Sequence, residues 1–309
     1  GRGAWEAWDR AGAGGECAWD GWRPRAVAYG DGVFMRQSFV RVAAVLVLLG
    51  GATALVGCSS DEPLEPVGEI PAEQSDNAGI AYLQQGDYEK ATEKFEEVDQ
   101  QHPYSEWARK SLIMTTYTNY TRGKFTEAIT QGKRYLTLYP GSEDAAYAQW
   151  MIAQSYFNQM PDITRDQKMT QQAMQAMQEL VERYPDSPYA AEGRKRLDIA
   201  RDQLAGKEME VGRYYLTRNQ YIGAINRFKV VVQEYQTTRH IEEALERLTE
   251  AYYAMGIVDE AQTAAAVLGH NYPDSRWYKD AYKLLNTNGL EPRENSQSWI
   301  SKAFKAALL

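Results

Sequence analysis

The chain has 309 residues, a formal net charge of −8 and 44% hydrophobic residues. That is enough chain for one large domain or a repeat array, and its acidity argues against nucleic acid as a partner, which calls for a concentrated basic face. Cys17 and Cys58 are the two cysteines, and none follows Cys58; the body of the chain therefore has neither a disulfide nor a thiolate metal site and relies on packing.

Residues 1–34 are rich in Gly, Ala, Arg and Trp (Trp5, Trp8, Trp19, Trp22) and have no sustained helical or strand period. They read as translation upstream of a start at Met35, and Cys17 receives no role. Met35 opens a short basic stretch with Arg36 and Arg41, followed by an apolar or small run from Val42 to Leu55. About 14 residues is short of the ~20 that span a bilayer, so residues 35–57 read as an export signal. The signal ends Leu55-Val56-Gly57-Cys58-Ser59. This resembles the lipobox of bacterial lipoproteins, and the resemblance implies cleavage after Gly57 and lipidation of Cys58 by thioether acylation, with palmitate as a further modification. The competing reading is an ordinary signal peptide with an incidental cysteine. From Cys58 onward 28 Lys and Arg face 37 Asp and Glu. Residues 58–72, with Pro63, Pro66 and Pro71 among Asp61, Glu62, Glu65 and Glu69, are expected to form an extended acidic tether.

Self-comparison organises the rest. Gly86-Asp87-Tyr88, followed by Ala91, Phe95, Val98 and Pro103, sets a frame. It recurs with Gly123, Phe125, Ala128, Gly132, Tyr135 and Pro140; with Ala173, Met177, Leu180 and Pro185; with Asn219, Tyr221, Ala224, Phe228 and Val231; and with Gly256, Val258, Ala261, Ala265, Leu268 and Pro273. The glycine or Asn219 suits the left-handed joint between two helices, the alanine their close approach, and the proline the end of the second helix. Ser105, Ser142, Ser187, Thr238 and Ser275 follow each proline, or Gln236 in its place, by two positions. They are expected to cap the next helix, most clearly at Ser187-Pro188. First helices carry their own spacing: Gly79 with Tyr82, Ala153 with Tyr156, Gly212 with Tyr215.

This pattern resembles the tetratricopeptide (TPR) repeat, and it implies an all-α solenoid of five TPR helix pairs over residues 73–285, plus a C-terminal capping helix. An unrelated helical bundle is the competing reading; five copies in register disfavour it. Residues 159–166 are an insertion in the third copy, and a further insertion before Gly206 lengthens a helix from Glu192. In the tail, residues 286–309, Trp299, Ala303, Phe304, Ala307 and Leu308 share a helical face. Docking of that face on its own domain is favoured over a partner or lipid.

No catalytic constellation emerges. His102, His240 and His270 fall near separate inter-repeat turns without metal-ligand spacing. Glu96 and Glu97, or Glu242 and Glu243, are adjacent on helices and point about 100° apart. P-loop, Gly-x-Ser-x-Gly and HExxH motifs are absent. The expectation is a binding scaffold, not an enzyme, with no cofactor and no metal. First helices of TPR repeats line a concave groove, and carrying those positions over gives Ile113, Tyr117 and Tyr120, then Tyr147, Trp150, Gln154 and Phe157. These form the expected peptide-binding groove. Glu243, Glu246, Glu250 and Tyr253 form an acidic partner-binding end. For each ring, packing between helices is an equal alternative.

A lipoprotein signal, an acidic proline-bearing tether and five repeats together resemble the BamD/ComL family of outer-membrane assembly lipoproteins. Gly86-Asp87-Tyr88-Glu89-Lys90-Ala91 and Arg183-Tyr184-Pro185-Asp186-Ser187-Pro188-Tyr189-Ala190 look like its repeat junctions. The resemblance implies anchoring to the outer membrane on its periplasmic side, with Ser59 in place of aspartate agreeing with outer-membrane sorting. It implies binding to the POTRA domains of a BamA-type β-barrel protein through the C-terminal repeats. It also implies binding of unfolded outer-membrane protein precursors through the N-terminal ones, and other lipoproteins of the same machinery as further partners. The competing function is another envelope-maintenance TPR lipoprotein, a cell-wall or division-linked scaffold. A helical scaffold of a lytic transglycosylase would need a catalytic domain for which the chain has no room.

Overall fold

The computed structural model describes residues 71–306. Cys58, the export signal, residues 1–34, the tether up to Ile70, and Ala307 and Leu308 lie outside the described residues. Within them the chain is all-helical: α1 (Ala72–Gln84), α2 (Tyr88–Gln101), α3 (Glu106–Thr121), α4 (Phe125–Leu138), α5 (Ala145–Phe157), α6 (Lys168–Arg183), α7 (Ala190–Thr217), α8 (Tyr221–Glu234), α9 (Ile241–Ala254), α10 (Val258–Asn271), α11 (Arg276–Thr287) and α12 (Trp299–Ala306). Consecutive helices pack on each other from α1 through α10, with weaker contacts one helix further along, as in a solenoid.

The helix joints follow from backbone chemistry. Gly86, Gly123 and Gly256 have φ near +75°, and Asn219 takes their place at φ 59°. At each, the next amide reaches back five residues, as Asp87 N–H does to the Tyr82 carbonyl at 2.9 Å and Gln220 N–H to the Tyr215 carbonyl at 2.9 Å. This satisfies carbonyls that a helix end otherwise leaves exposed. The second helices stop at His102, Tyr139, Tyr184 and Tyr272, each just before a proline that disfavours helical backbone in its predecessor.

The core is a set of reciprocal small–large pairs. Ala91, Ala128, Ala173, Ala224 and Ala261 are all fully buried where paired helices approach. Where the second helix carries Phe95 or Phe228, the first carries Gly79 or Gly212. A Cβ there would stand 2.6 Å or 2.4 Å from the ring. Where the second helix carries Gly132, Ile152 of the following helix fills the space, 2.7 Å from where a Cβ would stand, with Thr116 at 3.5 Å, and the third pair places Ala153 and Met177 in one core cluster. Volume is conserved while its source alternates, as close packing requires.

The expected serine caps hold only in part. Ser105 Oγ accepts from Ala108 N–H at 3.0 Å and Ser275 Oγ from Trp277 N–H at 3.1 Å. Ser142, Ser187 and Thr238 do not cap: α5, α7 and α9 begin after Asp144, Tyr189 and His240. In those three copies the carbonyl of the Ser or Thr accepts from the amide three residues on, a tight entry turn that delays the helix. Pro188 accordingly lies in that turn and not in the first position of α7.

Both insertions have structural uses. The lengthened helix is α7, one continuous 28-residue element. Its first half packs on α6 and its second on α8. The inserted loop lies along its middle, where Gln203 Nε2 donates to the Pro161 carbonyl at 2.5 Å and Lys207 Nζ to the Thr164 carbonyl at 3.1 Å.

The tail docks on its own domain. Ile300 is fully buried, and Trp299, Ala303 and Phe304 pack around the same core. The face is centred one residue away from that expected, on Ile300.

Candidate peptide groove and charged end

Five rings from two successive first helices, α3 and α5, and from the turn before α7 form a strip. On α3, Tyr120 tilts against Phe125 with centroids 5.8 Å apart, and its hydroxyl accepts from Asn158 Nδ2 at 2.9 Å. Tyr147 and Trp150 are neighbours on α5, where positions three apart share a face. Both meet Tyr189 in the turn before α7, at 5.5 Å and 5.9 Å, the latter pair nearly parallel. From α7 the Arg196 guanidinium lies 5.5 Å from the Trp150 ring and 4.9 Å from the Phe157 ring, within cation–π range. Burial, reinforced by Tyr189, Tyr117 and Tyr120, pushes the Tyr147 phenol well above its ordinary value and keeps it neutral.

The strip unites Tyr120, Tyr147, Trp150 and Phe157, with Tyr117 beside them. It excludes Ile113, which is 3% exposed and packs with Leu112, Tyr135 and Ala148 in the core. That position is corrected from groove wall to packing: on α3 an aliphatic residue next to Leu112 turns toward α4. Gln154 is likewise buried. Sequence reasoning missed Tyr189 and Arg196. Tyr189 sits in a turn, whereas the groove positions of the repeat lie on helices; its signal in the sequence is the fixed spacing of that turn after the proline.

The C-terminal end is a charge network. Arg213 Nη1 donates to Glu243 at 2.9 Å, and Arg247 donates to Glu250 at 2.8 Å while its Nε lies 3.3 Å from Glu246. Arg247 also lies 5.4 Å from the Trp277 ring, which Arg276 approaches to 4.4 Å. Glu246 is only 7% exposed. Burial, opposed by Arg247 and aided by Glu250, Asp280 and Glu243, raises its pKa to about 7. This end is therefore less acidic than its three glutamates suggest. Tyr253 packs at the edge of the core.

His240, at the start of α9, lies 3.7 Å from Asp202, and burial holds its pKa below the ordinary value. Among the described residues no group of side chains is arranged to hold a metal ion, and no helix is long and apolar enough to cross a membrane.

Residues 69–268 match the family model described as "YfiO: Outer membrane lipoprotein". The outer membrane protein assembly factor BamD of Caulobacter vibrioides is 45% identical over 262 residues, covering 84% of this chain and 85% of its own. The protein of that name from Rickettsia prowazekii is 35% identical over 249 residues, covering 81% and 98%. That from Neisseria meningitidis serogroup A is 30% identical over 253 residues, covering 77% and 95%.

Proposed function

Since the chain belongs to the BamD (YfiO) family of outer membrane protein assembly factors, we propose that it serves that machinery as a lipid-anchored, non-enzymatic scaffold on the periplasmic face of the outer membrane. Its aromatic strip receives unfolded outer-membrane precursors. Its charged end meets the POTRA domains of a BamA-type β-barrel protein, with other lipoproteins of the machinery as additional partners. Cys58 is the anchor, and residues 58–72 are the tether.

The observation that carries the reading is the run of rings from Tyr120 to Tyr189 closed by Arg196. Stacked, neutral aromatic surface accepts an extended peptide in several registers, which suits precursors of varied sequence. A chain ending in an aromatic residue presents a ring and a carboxylate together, and Arg196 beside Trp150 and Phe157 offers a partner for each. The charged network supplies oriented pairs on rigid helices, the kind of surface that fixes one docking geometry.

The test is Trp150→Ala combined with Tyr117→Ala. Crosslinking to C-terminal peptides of outer-membrane barrels should fall about tenfold or more while helicity is retained; unchanged crosslinking would return these rings to packing. For the anchor, Cys58→Ser should abolish incorporation of labelled fatty acid, and persistent labelling would refute acylation there.

A further inference from the structure

The solenoid contains one valley twice, once filled and once open. The filled valley holds α12 between α8 and α10. Trp299 enters it with its indole N–H donating to the Tyr252 hydroxyl at 3.0 Å and the Lys229 ammonium 5.1 Å from its ring. Ser298 Oγ donates to Glu260 at 2.5 Å, and Gln236 Nε2 donates to the Ala303 carbonyl at 3.1 Å near the end of the helix. Val232 and Ala264 form part of the buried core beneath.

The open valley lies between α4 and α6, over α5. It is a cleft of about 400 Å³ lined by Lys133, Leu136, Ile152, Tyr156, Gln172 and Ala176, among others. Lys133, Leu136 and Tyr156 stand 96 positions before Lys229, Val232 and Tyr252. Beyond the eight inserted residues 159–166, Gln172 and Ala176 stand 88 positions before Glu260 and Ala264. So the ammonium, the aliphatic floor, the phenol and the small residue that hold α12 are all repeated in register. With no indole between them, Lys133 Nζ donates directly to the Tyr156 hydroxyl at 3.0 Å. Gln172 Oε1, in the register of the carboxylate that Ser298 binds, is buried without a hydrogen-bond partner. A buried acceptor lacking a donor is costly, and a small rotation of the Gln172 side chain that opens it to the valley would let an incoming hydroxyl satisfy it.

We propose that the α4–α6 valley is a docking site for a short amphipathic helix of a partner protein, carrying a tryptophan with a Ser or Thr immediately before it and an aliphatic residue after it. The tryptophan inserts between Lys133 and Tyr156 as Trp299 does between Lys229 and Tyr252. The preceding hydroxyl donates to Gln172 Oε1. Glu179 stands where the filled valley has Val267, but Gln149 and Gln175 already donate to it and Arg183 lines the same cleft, so the α6-facing side of the occupant is polar without a required charge. A second copy's tail is a poor occupant. The chain's own α12 is buried at Ile300, and its leading strap is tied down by Arg293 N–H to the Gln262 carbonyl, Gln262 Nε2 to the Glu291 carbonyl and Asn295 N–H to Thr263. The site shares no residue with the aromatic strip, and the proposal stands independently of the function assigned to that strip.

The probe is a fluorescent peptide of residues 296–306 carrying a photoreactive group, titrated into the full chain. Saturable 1:1 binding is expected, with crosslinks to α4, α5 or α6. Lys133→Glu should weaken it at least tenfold and Tyr156→Phe a few-fold, both with unchanged helicity. Absence of saturation to millimolar peptide, crosslinks confined to α8–α10, or insensitivity to both variants would overturn the proposal. Sedimentation of the full chain should show a monomer; a dimer abolished by Lys133→Glu would make the occupant a second copy and overturn the assignment to a partner.

Discussion

The aromatic strip on α3, α5 and the turn before α7 contrasts with the charged end on α9. The strip relies mainly on ring contact: Tyr189 lies 5.5 Å from Tyr147 and 5.9 Å from Trp150, with Arg196, itself paired to Glu192, alongside. Removing one ring leaves neighbours that still shed water. The charged end is held by polar contacts instead. Arg247 serves three glutamates and a ring, and Glu246 has lost nearly all its water. Apolar contact is non-directional and tolerates sequence variety, whereas desolvated charge pairs fix geometry and penalise every missing partner. One solenoid thereby offers a permissive surface and an exacting one, as the proposed scaffold between variable precursors and a constant partner requires.

The sharpest way to break the contrast is Arg247→Ala. At pH 8, where Glu246 is ionised, it strands that charge and loosens Glu250, and should lower stability by about 2–4 kcal/mol in urea unfolding. The paired ring substitutions on the strip should leave the urea midpoint far less changed. Adding Glu246→Gln to Arg247→Ala should recover much of the loss, because the stranded charge is removed with its partner.

Glu246 also gives this end a pH dependence that the strip lacks. Its folded pKa of about 7 lies above the ordinary 4.5, so the folded state binds the extra proton between those values. Stability should therefore fall as pH rises from about 4.5 to 7 and level off above. Glu246→Gln should remove that slope and stabilise the chain by roughly 1–3 kcal/mol at pH 8. An unchanged slope in the variant would show that Glu246 is ionised throughout.

Much of the fold was legible because the repeat's rules are local. Gly86, Gly123, Asn219 and Gly256 marked left-handed joints, and each adopts one. The serine caps were half legible: Ser105 and Ser275 cap, while Ser142 bonds the Tyr135 hydroxyl at 2.9 Å and Thr238 its own turn. Whether a turn closes through a side chain or through backbone depends on the helix packed behind it, which local sequence does not encode. The strip was legible as a cluster but not residue by residue. Ile113 and Tyr117 both projected toward the groove, and only packing against Tyr135 and Ala148 sends Ile113 inward. The balance of the charged end was hidden for a similar reason. Glu243 takes its strongest partner, Arg213, from another helix thirty residues earlier.

The central claim is that precursors engage the rings and not the charged end. A photoreactive amino acid at Tyr189 and, separately, at Tyr253 tests it most directly against a C-terminal peptide of an outer-membrane barrel. The account predicts a strong adduct from position 189 and little from 253. An adduct at 253 with none at 189 would contradict it.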